Sequence, residues 1–296
     1  MIDLEAWVES EDEPDRKVFR QAIQLVLRAI AQSSLSPLMI MKGGVLLAIR
    51  YQSSRFTRDI DFSTSRQFQD VDIPGLVRTI EEALAPVSAD NEHELVLRLQ
   101  SHKVKPANRP DVSFPTLNLR IGYASRLQPQ LVRRLASNGS SQVVQVDYSF
   151  NEWASDVELI ALDGGSLSMY PFHDLVAEKF RSVLQQPIRN RERYQDIYDL
   201  FLLLENTEPL SEADRIAVLH KLQEASLDRQ VHVHRSAMRD ERVIELSRKN
   251  YDIELPHMVL GKVPEFDTAF TIVRNFFESL PWPISDSKPI AERTSP

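Results

Sequence analysis

Apolar residues recur every three or four positions over residues 16–32, where Phe19, Ile23, Val26, Leu27 and Ile30 form the stripe of an amphipathic helix. A short apolar run, PLMIMK at residues 37–42, reads as a strand that stops at Gly43-Gly44, and helical spacing resumes over 45–51. Polar and apolar positions alternate over 58–64, and similar strand readings hold at 95–99, 117–123, 143–150 and 157–162. These predict one five-stranded mixed or antiparallel sheet, with a helix over 75–85 inserted between its first and second strands. Beyond about residue 170 the period becomes helical: 172–184, 192–204, 213–224, 235–248 and 267–277 predict a bundle or cap. Pro281, Pro283 and Pro289 predict a loose tail. The expected division is an α/β domain at 1–165, a helical domain at 166–280 and a flexible tail at 281–296.

Composition narrows the chemistry. The 296 residues are 42% hydrophobic and 26% charged, as in a globular protein with a sizeable core. A net charge of -8 confines any contact with nucleic acid to a local patch. The absence of cysteine removes disulfides, thiolate-bound metals and thiol nucleophiles. The acidic opening segment lacks the pattern of a secretory signal, and no run approaches the about 20 apolar residues of a membrane span, so a cytoplasmic protein is expected. Phosphate-loop, dinucleotide, zinc-protease and serine-hydrolase motifs are missing; Gly261-Lys262 lacks the rest of a phosphate loop. His232 and His234 have no third ligand at a recognisable spacing, and His173 reads as a structural residue.

Two features carry chemistry. Gly43 and Gly44 lie between a strand and a helix, where backbone can approach an anion and helix N–H groups can point at a phosphate; a turn without a ligand explains the pair equally. Asp59 and Asp61 are two apart in a predicted strand and so share a face, an arrangement suited to a divalent cation and also to a solvated strand face.

The order Lys42-Gly43-Gly44, a helix, then Arg55-Phe56-Thr57-Arg58-Asp59-Ile60-Asp61-Phe62 resembles the nucleotidyltransferase family of AbiEii/AbiGii toxins, MenT-like proteins of type IV toxin–antitoxin systems. A second block agrees in order: Glu178-Lys179-Phe180-Arg181, then Arg193-Tyr194-Gln195-Asp196-Ile197-Tyr198-Asp199-Leu200. The resemblance covers about residues 37–205. It implies an α/β (α+β) nucleotidyltransferase fold, a mixed sheet with flanking helices, followed by a helical domain that completes the active site.

It further implies Asp59, Asp61, Lys179 and Asp196 as catalytic residues, Asp59 and Asp61 as ligands of Mg²⁺ in a two-metal site, and Lys179 near the nucleotide phosphates. Asp147, on a neighbouring predicted strand, is the expected third carboxylate, ahead of Asp156 and Glu152. Lys42, Gly43, Gly44, Arg55 and Thr57 are the expected nucleotide contacts, with Thr57 placed on the pleat face of the two aspartates. Asp199 ranks below Asp196, as a partner for nearby arginines. Arg181, Arg189, Arg191 and Arg193 could meet an RNA backbone or merely solvate a helix connection.

The activity implied is Mg²⁺-dependent transfer of a nucleoside monophosphate from an NTP to an acceptor hydroxyl, particularly the tRNA 3′ end, with a cognate antitoxin as partner and no membrane. The alternatives are a protein-modifying nucleotidyl- or phosphotransferase and a noncatalytic binding module of the same fold.

Overall fold

The computed structural model describes residues 2–107, 113–154, 156–227 and 229–283. Two compact units emerge: Met1–Gln52 with Thr57–Pro171, and Ser53–Phe56 with Phe172–Pro296.

The first unit is a sheet with helices. Helix α1 (Leu4–Glu9) starts at Asp3, whose carboxylate accepts from the Ala6 N–H at 2.8 Å. Helix α2 (Pro14–Ala31) starts with Glu13 as cap and proline in its first turn, and it buries Phe19, Ile23, Val26, Leu27 and Ile30. Strand β1 (Ile40–Lys42) leads into α3 (Gly43–Tyr51), and β2 (Asp59–Ser63) follows. Then come α4 (Ile73–Ala89), β3 (Leu95–Lys105), β4 (Thr116–Ser125), α5 (Pro129–Ala136), β5 (Val143–Ser149), β6 (Glu158–Leu162) and β7 (Gly165–Met169).

The sheet has seven strands in the order β3-β4-β5-β2-β1-β7-β6, not the five expected. It is mixed: β2 runs parallel to β5 and antiparallel to β1, and β1 runs parallel to β7. The two additions are β1, the short run read as a strand before Gly43 but not counted in that sheet, and β7, whose sequence GSLSM is polar and opens on a glycine. A Cβ at Gly165 would lie 2.2 Å from the Ala31 carbonyl oxygen, so the close pass of α2 over this strand requires glycine.

Alternation gives the central strands two unlike faces. Ile60, Phe62, Val144, Val146, Tyr148, Leu117, Leu119 and Ile121 are all at most 2% exposed. Val26 and Ile30 of α2 and Ile80 and Leu84 of α4 gather with Leu119, Ile121 and Val146 on this face. The opposite face carries the polar positions of the same strands and hosts the chemistry below.

The second unit is helical: α6 (Phe172–Leu184), α7 (Gln186–Arg189), α8 (Tyr194–Glu205), α9 (Glu212–Leu227), α10 (Glu241–Arg248), α11 (Tyr251–Glu254) and α12 (Phe266–Glu278). Phe180 of α6 anchors it, with ring centroids 6.0 Å from Phe276 and 5.2 Å from Phe277. The helix expected over 235–248 is instead a 3₁₀ turn at Ala237–Arg239 and then α10. Asp240 breaks it, its carboxylate capping the N–H groups of Arg242 and Val243.

The segment Ser53–Phe56 is built into this helical unit. Arg55 bridges Val259, and the Phe56 N–H donates to the Met258 carbonyl at 2.6 Å. The start of the expected tail is ordered: the Trp282 indole N–H donates to the Phe277 carbonyl at 2.8 Å. Residues 284–296 lie outside the described residues. No helix among the described residues is long and apolar enough to cross a membrane.

Candidate active site

In the first unit, strand register builds the site. Lys42 pairs with Asp61, Asp61 with Asp147 across the parallel β2/β5 ladder, and Asp147 with Asn118. Directly opposed residues project to one face, so these four side chains form a row across four strands, β1, β2, β5 and β4. Asp59, two residues before Asp61, adds a second carboxylate to that face. The sheet thus collects Asp59, Asp61 and Asp147 on its polar side.

Their surroundings differ. Asp147 accepts from the Asn118 side-chain amide at 2.5 Å. Asp59 has a buried Oδ1 with no hydrogen-bond partner. Burial pushes the Asp59 carboxyl above the usual carboxylate range, and the charge of Asp147 pushes it further, against weaker opposition from Lys105 and Arg58. An orphaned carboxylate oxygen beside a second negative charge is a site short of positive charge.

Gly43 completes this half. Its φ is +71°, and a Cβ built there would lie 2.1 Å from Asp61 Oδ2. The backbone therefore turns against the Asp61 carboxylate, where any side chain would displace it. The N-cap residue Lys42 makes no side-chain cap to α3, and the first turn of the helix holds no acidic residue, an arrangement that suits an anion. Lys42 is buried and ion-paired to Glu152, with its ammonium 5.7 Å from the Tyr170 ring centroid. Thr57 precedes β2 and so lies outside the pleat it was expected to share.

The donor set suits a hard divalent cation. Mg²⁺ commonly takes one or two carboxylates and completes its shell with water and substrate phosphate. Among the described residues, no group of three or more His, Asp or Glu side chains is arranged to hold a metal ion by itself. The histidines at 232 and 234 belong to no such group either.

The second unit assembles the second sequence block into a charge cluster. Asp199, 0% exposed, receives both arms of Arg55, from Nε and from one terminal nitrogen, each at 2.8 Å. Lys179 of α6 donates to Asp199 Oδ2 and to Asp196 Oδ1, each at 2.7 Å. Two cations face two carboxylates. Burial pulls the Lys179 ammonium toward a lower pKa, but Asp196 and Asp199 outweigh it and the net shift is upward. Burial likewise works to raise Asp199, and Arg55 and Lys179 together hold it below the usual carboxylate range.

Arg55 was expected at the nucleotide; both its guanidinium arms are engaged by Asp199. Asp199, ranked second, is the keystone of the cluster. Asp196 keeps a buried Oδ2 with no hydrogen bond, 3.9 Å from an Arg193 nitrogen. The spacing of Asp196 and Asp199 signalled a shared face, whereas nothing local signalled that Arg55 would reach them.

Residues 25–272 match the family described as Nucleotidyl transferase AbiEii toxin, Type IV TA system. The chain belongs to this family. The AbiEii-family chain is therefore a nucleotidyltransferase of the toxin class. Solved structures share its fold at low identity. The nucleotidyltransferase toxin MenT4 from Mycobacterium tuberculosis H37Rv is 16% identical, with 93% of this chain and 87% of that chain covered and a TM-score of 0.53. A candidate nucleotidyltransferase from H. pylori is 14% identical, covering 90% and 96%, at 0.52. JHP933 from Helicobacter pylori is 15% identical, covering 90% and 93%, at 0.51. No curated protein sequence matches the chain.

Proposed function

We propose that this AbiEii-family protein transfers a nucleoside monophosphate from an NTP to a hydroxyl of a nucleic-acid acceptor, in the family's pattern the 3′ end of tRNA, with Mg²⁺ as cofactor. The observation that carries the reading is the polar face on which Asp59, Asp61 and Asp147 meet, with Gly43 turned against Asp61.

Asp59 and Asp61 would hold the cation, and Asp147 adds negative charge beside Asp59. The metal, when bound, offsets the charge of the triphosphate and favours departure of pyrophosphate. The N–H groups at the start of α3 bind phosphate oxygens, and the glycine turn lets them come close. Lys42, locked to Glu152, fixes the end of β1 from which that turn departs. In the second unit Lys179 has one N–H beyond the two it gives to Asp196 and Asp199, which suits a phosphate contact. Catalysis in such a site is orientation and charge neutralisation rather than covalent chemistry.

The test is incubation of the purified chain with each α-labelled NTP, Mg²⁺ and total RNA, beside Asp59→Asn. Labelled RNA from wild type alone is expected. A folded protein that labels no RNA refutes the proposal, and label arriving only from the γ position makes it a phosphotransferase. Co-expression with the neighbouring gene product is expected to relieve growth arrest, as an antitoxin does.

A further inference from the structure

The end of α7 and the loop that joins it to α8 present two guanidinium groups, Arg189 and Arg191, close together. Residues 190–195 line an open cavity of about 400 Å³. Arg189 and Arg191 flank Asn190, whose left-handed backbone (φ 47°) ends α7 and turns the chain. Neither guanidinium makes a hydrogen bond or an ion pair among the described residues. The acid in the cavity lining is already engaged: Glu192 accepts from Lys249 at 2.7 Å and from Asn250 at 2.6 Å. Arg193 lies 3.9 Å from Asp196.

Like charges therefore press on one another here. Arg193 and burial hold Arg191 below the usual guanidinium range, with partial relief from Asp196, and burial, Arg229 and Arg193 do the same to Arg189. A fold gains nothing by holding Arg189 and Arg191 close to a further guanidinium without partners of their own, whereas an arriving anion relieves both and can be held bidentately.

We propose that residues 189–193 grip the phosphodiester backbone of the acceptor strand. This rests on the nucleotidyl-transfer reading above. A transfer reaction has two anionic substrates, and the α3 N-terminus with its glycine turn already supplies a cradle for the triphosphate. A second, separate group of arginines, strung along several residues rather than focused on one point, fits a strand with repeated phosphates. A protein acceptor needs no such group.

The experiment measures binding of a fluorescent single-stranded RNA oligonucleotide by anisotropy over a series of salt concentrations, for wild type, Arg189→Ala/Arg191→Ala, and the charge-matched control Arg133→Ala/Arg134→Ala on α5. The first pair is expected to weaken binding by roughly 10-fold or more and to flatten the log–log salt slope by about 1.4, two phosphate contacts at about 0.7 each. The control is expected to keep the wild-type slope. Equal losses in both pairs, or none in the loop pair, overturn the proposal.

Binding of a non-hydrolysable NTP is measured in parallel. Loss of NTP affinity with RNA affinity intact makes the loop a nucleotide site and also overturns it. The two readings fail separately: RNA bound through the loop without any nucleotide transfer refutes the activity alone, and transfer that ignores the loop refutes the clamp alone. Both arginines are exposed, and circular dichroism with a urea titration verifies that the variants remain folded.

Discussion

Replacing Asp199 by asparagine is the most revealing perturbation of the helical unit. Asp199 is fully buried and receives three charge-assisted hydrogen bonds at 2.7 to 2.8 Å, two from Arg55 and one from Lys179. The wild-type cluster balances two cations against two carboxylates. Asparagine leaves two buried cations with Asp196 alone, and it turns an amide N–H₂ toward groups that are themselves donors. Breaking one side of a buried ion pair costs about 3–5 kcal/mol, because the surviving charge stays out of water.

With a urea dependence of about 2–3 kcal/mol per molar, the midpoint should fall by about 1–2 M. Asp196→Asn is a built-in contrast. It leaves Asp199 to hold both cations and should cost only about 1–2 kcal/mol. The double variant Arg55→Met/Asp199→Leu removes one cation with one anion, leaves Lys179 balanced by Asp196, and should recover most of the loss. The assay is equilibrium urea unfolding followed by tryptophan fluorescence. An Asp199→Asn protein as stable as wild type, or a double variant worse than the single, refutes the charge-balance argument.

Further outcomes follow from the first unit. Gly43→Ala should cost about 1–3 kcal/mol and abolish nucleotide transfer, since its φ of +71° disfavours any side chain and the new Cβ meets Asp61; thermal melting and the α-label assay read both effects. Because burial and Asp147 raise the Asp59 pKa, the folded chain retains a proton that the unfolded chain has released between the ordinary and the raised value. Stability should fall as pH rises through that window, and Asp59→Asn should remove this component and be more stable than wild type at neutral pH while inactive; melting temperature against pH measures it. Glu152→Gln should destabilise the first unit by about 3 kcal/mol by removing the carboxylate charge paired with the buried Lys42 ammonium, again read by urea unfolding.

Much of the fold was legible because its elements carry their own period. The stripe of α2 and the alternation of β2 and β5 are local signals, and Phe19, Ile23, Ile60 and Val146 are buried as that spacing requires. β7 was not legible: its serines and its glycine answer to Ala31, a residue far away in sequence. The break before α10 was missed because Asp240 can sit in a helix or cap one, and only the fold selects the cap. At the candidate site, Asp59 and Asp61 were readable from a spacing of two. The pairing of Asp147 with Asp61 depends on strand register, and the union of Arg55 with Asp199 joins segments that no periodicity relates. Lys42 illustrates the same limit, since its partner Glu152 comes from beyond the end of another strand.

The central claim is that the carboxylate face of the sheet binds a metal–nucleotide complex. Anomalous diffraction from crystals grown with Mn²⁺ and a non-hydrolysable NTP tests it most directly. The account requires manganese between the carboxylates of Asp59 and Asp61, with phosphate oxygens on the N–H groups at the start of α3. Manganese bound elsewhere, or a triphosphate that avoids Gly43 and Gly44, would contradict it.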